Sequence, residues 1–247
     1  MGNREALLTS LPEDSFNETE ALDIYTVTAT KVYLRLDERS KRRHMPFCFF
    51  RLRELFNKYD RIWVHAVPVP DSALLQGRQS ALFFTEALLN NLARQAGCEL
   101  IFLTHRHQPS LKSTDRLPGS ADSVQCMHLA TKDDARVLAE HYAHWLPKII
   151  GVTTSFTDNH FSISLFGVPV LEMTTVVYCR ELASFRLTGG LLFRRSQNPP
   201  AYFHFLADES RLYTALIHFS PALWWPLYRI SQGPIHKMVM HAYRCNL

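Results

Sequence analysis

Glycine is scarce in this chain, with nine in 247 residues. Those nine form no dinucleotide-binding GxGxxG, no phosphate-cradling GxxxxGK[ST] and no GxSxG nucleophile elbow. Each of those loops needs glycine, either because backbone N–H groups must come close to a phosphate or because a sharp turn must present a serine. The common nucleotide-dependent enzymes and the elbow hydrolases are therefore not expected. Gly189 and Gly190, adjacent in LTGGLL, suit a bulge or bend in a strand instead. Cysteine is also sparse. The five residues, Cys48, Cys98, Cys126, Cys179 and Cys245, include no CxxC pair, and an odd count in a chain of this length argues against a disulfide framework. They read as small hydrophobes, with Cys245 the one expected at the surface.

Long apolar runs are missing too, and none approaches the ~18 residues that a membrane-spanning helix needs. Strong charge of one sign is absent. The formal net charge of +4 permits an anionic partner without arguing for one. Residues 1–22 are polar and acidic and lack the apolar core of a secretory signal. Ala6 stands where an N-myristoylation motif has serine or threonine. The reading is a flexible leader over 1–22, then one globular domain over 23–247 with possible halves 23–150 and 151–247, located in the cytoplasm. Hydrophobic residues at 47% and charged residues at 20% give such a chain material for a full core.

The patterns that are present predict an α+β fold. Residues 23–38 alternate and are rich in valine, threonine and tyrosine, which predicts a strand. A helix follows Pro46, with Phe49, Phe50, Leu52 and Leu55 as its apolar side. RIWVHAVPVP (61–70) reads as a strand ended by prolines. Asp71 or Ser72 caps a long helix ending at Gly97. CELIFLTH (98–105) reads as a buried strand. After a polar loop, VQCMHLA (124–130) predicts another strand, and Thr131 caps a helix over 132–150. From Gly151 short alternating segments separated by turn residues predict an antiparallel meander. A long C-terminal helix, broken around Gly233 and Pro234, closes the chain over that sheet.

Histidine is abundant, with twelve residues. His105 and His107 sit two apart at a strand end, so alternation places both on one face, as in an HxH metal site. If strands 61–67 and 98–105 are parallel neighbours, His65, Asp71, His105 and His107 gather at their carboxyl edge, where open α/β sheets bind ligands, and His128 could join them. That predicts a histidine-dependent hydrolase or lyase, with His65, Asp71 and His105 catalytic and His105 and His107 holding a metal. LTHRH is similar to the start of the metallo-β-lactamase-fold hydrolase signature, T-H-x-H-x-D-H. The match covers Thr104, His105 and His107. Pro109 and Ser110 occupy the positions of that family's aspartate and the histidine after it, so two of its metal ligands are missing. Glu140, His141 and His144 share a helix face, and Asp158 and His160 flank a turn. Both groups read as structural more than chemical.

The leading expectation comes from the aromatics. Trp224, Trp225 and Tyr228 lie in the closing segment beside Arg229, and Phe185, Phe203 and Tyr213 lie in the strands. Several strands followed by a long helix is similar in layout to helix-grip ligand-binding domains, though no motif is shared. That layout implies an apolar cavity binding or processing a lipid-like or aromatic small molecule at these six residues. Tryptophan beside basic residues also suits peripheral contact with a membrane surface. A third reading is a nucleic-acid or protein interaction module in segment 39–61, where basic residues accompany aromatics. There the phenylalanines cluster as a core would, which argues against nucleic acid. No cofactor and no oligomeric state follow from the sequence.

Overall fold

The computed structural model describes residues 4–9, 23–30, 33–37, 49–65, 80–103, 121–194, 200–222 and 232–247. The fold is α+β. The chain divides into two compact units, Met1–Asp115 and Arg116–Leu247.

The first unit is built on a five-stranded sheet. Its strands are β1 (Glu5–Thr9), β2 (Asp23–Thr30), β3 (Tyr33–Asp37), β4 (Arg61–His65) and β5 (Glu99–Leu103), in the order β3-β2-β1-β4-β5. β1 runs parallel to both β2 and β4, β4 runs parallel to β5, and β3 pairs antiparallel with β2. Alternation explains β4, where Ile62 and Val64 are buried while Arg61 and Trp63 are half-buried. Two helices, α1 (Phe49–Lys58) and α2 (Ser80–Ala96), pack on each other. In α2 the buried Phe84, Leu88 and Leu92 recur every four residues, which is one helix face. Gly97, at φ +66°, ends α2 in a Schellman motif, with the Cys98 N–H donating to Ala93 and the Gly97 N–H to Arg94.

Three expectations change here. Residues 5–9 form the central strand β1 inside the segment read as a leader. EALLT is too short and too flanked by polar residues to stand out, and only its pairing with β2 and β4 makes it a strand. The single strand over 23–38 is two antiparallel strands, with Thr30 opposite Tyr33. In α1 the buried set is Phe49, Leu52, Leu55 and Phe56, and Phe50 is exposed. A 3.6-residue period puts 49, 52 and 56 on one stripe and leaves 50 off it.

The second unit holds a seven-stranded antiparallel sheet. Its strands are β6 (Ala121–His128), β7 (Val152–Thr157), β8 (His160–Leu165), β9 (Val168–Tyr178), β10 (Leu182–Gly189), β11 (Tyr202–Asp208) and β12 (Arg211–Phe219). β7 through β12 follow one another as a meander, and β6 adds to the far edge by pairing with β12. The sheet therefore begins at residue 121, well before Gly151.

One face of this sheet is covered by α3 (Ala135–Trp145), which runs into a 3₁₀ turn (Leu146–Lys148), and by α4 (Gln232–Arg244). Tyr142, Trp145, Met240 and Tyr243 from the helices meet Phe161, Phe185, Phe203 and Phe205 from the strands. Ring contacts run through the cluster, for example Tyr142 to Tyr243 at 4.9 Å and Phe203 to Phe205 at 4.7 Å between centroids. The N-cap of α3 is Asp134, not Thr131, because the Asp134 carboxylate accepts from the Arg136 backbone N–H at 2.9 Å. Gly233 and Pro234 lie in the first turn of α4, where a missing proline N–H costs no helical hydrogen bond, and residues 223–231 lie outside the described residues. No helix among the described residues is long and apolar enough to cross a membrane.

Candidate functional site

In the first unit the amino ends of the central strands are tied together. Glu5, Arg61 and Glu99 open β1, β4 and β5 and stand side by side in register. The Arg61 guanidinium donates to Glu5 at 2.8 Å and to Glu99 at 2.7 Å, and the Trp63 indole N–H donates to the other Glu5 oxygen at 3.0 Å. One cation thus spans both neighbouring strands, and the Glu99 carboxylate, chiefly, raises its affinity for its proton.

The carboxyl ends are arranged differently. The register places Thr9 beside His65 and His65 beside Leu103. The order β3-β2-β1-β4-β5 reverses its direction of growth between β1 and β4. In open, largely parallel sheets that reversal opens a crevice outside the carboxyl ends, and ligands bind there. Thr9 and His65 end the two strands on either side of that reversal. His65 is buried, at 8% exposure. Asp71, His105 and His107 lie outside the described residues. In sequence Asp71 lies six residues after the end of β4, and His105 and His107 lie two and four residues after the end of β5. His128 belongs to β6, in the second unit, where it pairs with Arg211. No group of three or more metal-ligating side chains forms among the described residues.

No family profile matches this chain, and no curated protein is significantly similar to it.

In the second unit, Phe185 and Phe203 sit within the packed aromatic cluster. Phe185 meets Phe156, Phe161 and Phe205, and Phe203 meets Tyr142 and Phe205, with centroids 4.7 to 6.3 Å apart. Tyr213 is half-buried on β12 opposite Cys126. Trp224, Trp225 and Tyr228 lie outside the described residues.

The sheet also carries a polar pair that sequence reasoning missed. Ser184 on β10 and His204 on β11 are register partners on the face opposite the aromatic cluster. The Ser184 Oγ lies 2.7 Å from His204 Nδ1, and both residues are fully buried. Tyr202 stacks on the imidazole at 5.7 Å and 15°. Burial, assisted by nearby His218, pulls the His204 pKa down to about 3, so the ring is neutral at physiological pH. His218 is itself buried and sits at φ +54°, where the β12–β6 register shifts between Leu216 and Phe219. Nothing in AYFHFLAD marks this histidine, since an isolated polar residue in an apolar strand has no spacing to read.

The remaining histidine groups are held by local bonds. His144 Nδ1 is 2.8 Å from the Glu140 carbonyl oxygen, and His141 Nδ1 is 3.3 Å from the Tyr243 hydroxyl. The Tyr178 hydroxyl donates to the Glu140 carboxylate, and burial followed by that carboxylate raises the tyrosine pKa. At the β7–β8 turn the His160 N–H donates to Thr157 Oγ1 at 3.1 Å.

Proposed function

We propose that the chain is a histidine-dependent enzyme of the hydrolase or lyase class, acting at the carboxyl edge of β1, β4 and β5. The observation that carries this is the parallel register Thr9–His65–Leu103 across the point where strand order reverses. The strands behind that edge are held by the Glu5–Arg61–Glu99 clamp at the opposite edge. His65 serves as the general base, taking a proton from water or from the substrate carbon. Asp71 orients the imidazole, and His105 supplies a second base or, with His107, a metal ligand. A metal held there would make bound water more acidic.

The test pairs two measurements on the full chain. One is elemental analysis of protein purified without chelator. The other is turnover of p-nitrophenyl acetate and p-nitrophenyl phosphate by wild type and His65→Gln. The expected result is a turnover that falls by about a hundredfold or more in the variant, in keeping with loss of a general base. Equal rates in the two proteins, or rates no greater than buffer, overturn the assignment. Stoichiometric metal lost in His105→Asn marks the metal-assisted version.

A second reading belongs to the other unit: binding of a hydrophobic small molecule, lipid-like or aromatic. Its support is the Ser184–His204 pair, a neutral hydrogen-bonding group set among apolar residues such as Leu182, Leu206 and Ile217 on one sheet face. Native mass spectrometry of the freshly purified chain tests it. A discrete bound species released by organic solvent is expected, and a mass equal to the bare chain removes the reading. Burial of Phe49 and Tyr59 in the first unit weighs against the nucleic-acid reading of segment 39–61, although Phe50 is exposed.

A further inference from the structure

Most exposed apolar side chains in a folded protein are scattered singly and need no explanation. Here they are not scattered. Of the ten large hydrophobic side chains exposed among the described residues, five meet at one end of the seven-stranded sheet: Ile150, Leu165, Phe166, Val168 and Leu191. Backbone pairing brings their three segments together. The Phe166 N–H donates to Gly151 O at 2.7 Å, and the Leu191 N–H donates to Pro169 O at 3.0 Å. Ile150 is 89% exposed and Phe166 77%.

The hairpin at the centre of this end is built against local preference. Leu165 pairs with Val168, leaving a two-residue loop, Phe166-Gly167, with φ of +49° and +80°. Positive φ at both positions is a type I′ turn, whose first position favours asparagine, aspartate or glycine. A phenylalanine there accepts backbone strain and places an aromatic ring in water, two penalties that folding alone does not require. The ring lies over Gly151, where an added Cβ would come within 2.5 Å of Phe166 Cε1.

Among the described residues, the segments that carry these side chains hold charge of one sign. Residues 146–156, 162–171 and 187–194 contain no aspartate or glutamate, whereas Lys148 and Arg194 are both exposed. The first carboxylate along β9 is Glu172, opposite Ser162 and Gly189 and well inside the strand. Protruding apolar side chains flanked by cations and free of carboxylates complement an anionic bilayer surface, which takes up an apolar tip without needing a matching pocket.

We propose that this end of the second unit is a membrane-docking tip. Phe166, Ile150 and Leu191 enter the interfacial layer of an anionic membrane, and Lys148 and Arg194 meet the lipid headgroups. The proposal is independent of the chemistry assigned to the first unit.

Co-sedimentation of the full chain with vesicles tests it. Wild type is expected to pellet with vesicles of equal parts phosphatidylcholine and phosphatidylserine, and more weakly with phosphatidylcholine alone or at raised salt. Phe166→Asn suits the turn and should leave the fold intact, yet it should lower the partition coefficient about tenfold through lost apolar burial. The pair Lys148→Gln and Arg194→Gln should abolish the preference for phosphatidylserine. Wild type that stays in the supernatant with both vesicles overturns the proposal, and so does a well-folded Phe166→Asn protein that pellets as wild type does. A dimer in sedimentation velocity that Phe166→Asn dissolves, without any vesicle binding, assigns the tip to a second copy of the chain and equally overturns it.

Discussion

His204 is a single side chain that makes the second unit sensitive to acid. In the folded protein its pKa is about 3, against an ordinary value near 6.5. A base whose folded pKa is depressed remains neutral while the unfolded chain takes up a proton. Above pH 6.5 the group makes no difference. From there down to pH 3 the unfolded state is favoured progressively, by about 1.4 kcal/mol per pH unit from this one site. Urea unfolding from pH 7 to pH 4 should show that slope in wild type and a shallower one in His204→Asn, and parallel curves would remove the assignment. Ser184→Ala takes away the 2.7 Å bond in a fully buried setting and should cost about 1–3 kcal/mol at pH 7 by the same measurement. Cys245 is exposed as expected, although Cys126 is exposed as well. The Ser184–His204 pair joins two strands across twenty positions, and only the β10–β11 register shows it.

Elements were legible wherever punctuation was strong. Gly97 ends α2 because the left-handed position there suits glycine, and the meander from Gly151 follows its turn residues. Caps were less legible where several candidates compete. Thr131, Asp133 and Asp134 all precede α3, and all three can accept from a helix N–H. Thr131 instead donates to Asp133 at 2.8 Å, which leaves Asp134 to cap. Its carboxylate also receives the Arg136 side chain, and that hydrogen bond, above all, lowers its pKa below the usual aspartate range. Asp134→Ala should therefore cost about 1 kcal/mol at neutral pH. Because the folded pKa is depressed, this contribution is present above the ordinary aspartate pKa and fades as pH falls through the lower folded value. Denaturation midpoints of the two proteins should differ at pH 7 and draw together in strong acid. A constant gap would mean that Asp134 acts by packing alone.

At the scale of the molecule, the fold class was readable because periodicity is local, and the division of the chain was not, because strand pairing is distant. β6 pairs with β12 across more than eighty residues, and β1 becomes a strand only between two others. The candidate crevice was half visible. The pairing of strands 61–65 and 99–103 follows from their apolar runs and the intervening helix, but Thr9, the strand partner of His65 on the other side, lay in a segment without strand texture. The boundary near Asp115 carries its own consequence. Every residue of the aromatic cluster, from Met127 to Tyr243, comes from the second unit, including both helices that cover the sheet face. A hydrophobic core contained in one stretch of chain has the means to fold by itself. The fragment 116–247 should accordingly unfold in urea as one cooperative transition, with the same acid slope from His204 as the full chain. Its near-ultraviolet circular dichroism should retain the signal of the packed tyrosine and tryptophan rings. A fragment with strand content but no fixed aromatic signal, and with strong binding of an apolar dye, would be a collapsed state. In that case the aromatic cluster depends on residues before 116 for its packing, and the two compact units fold as one.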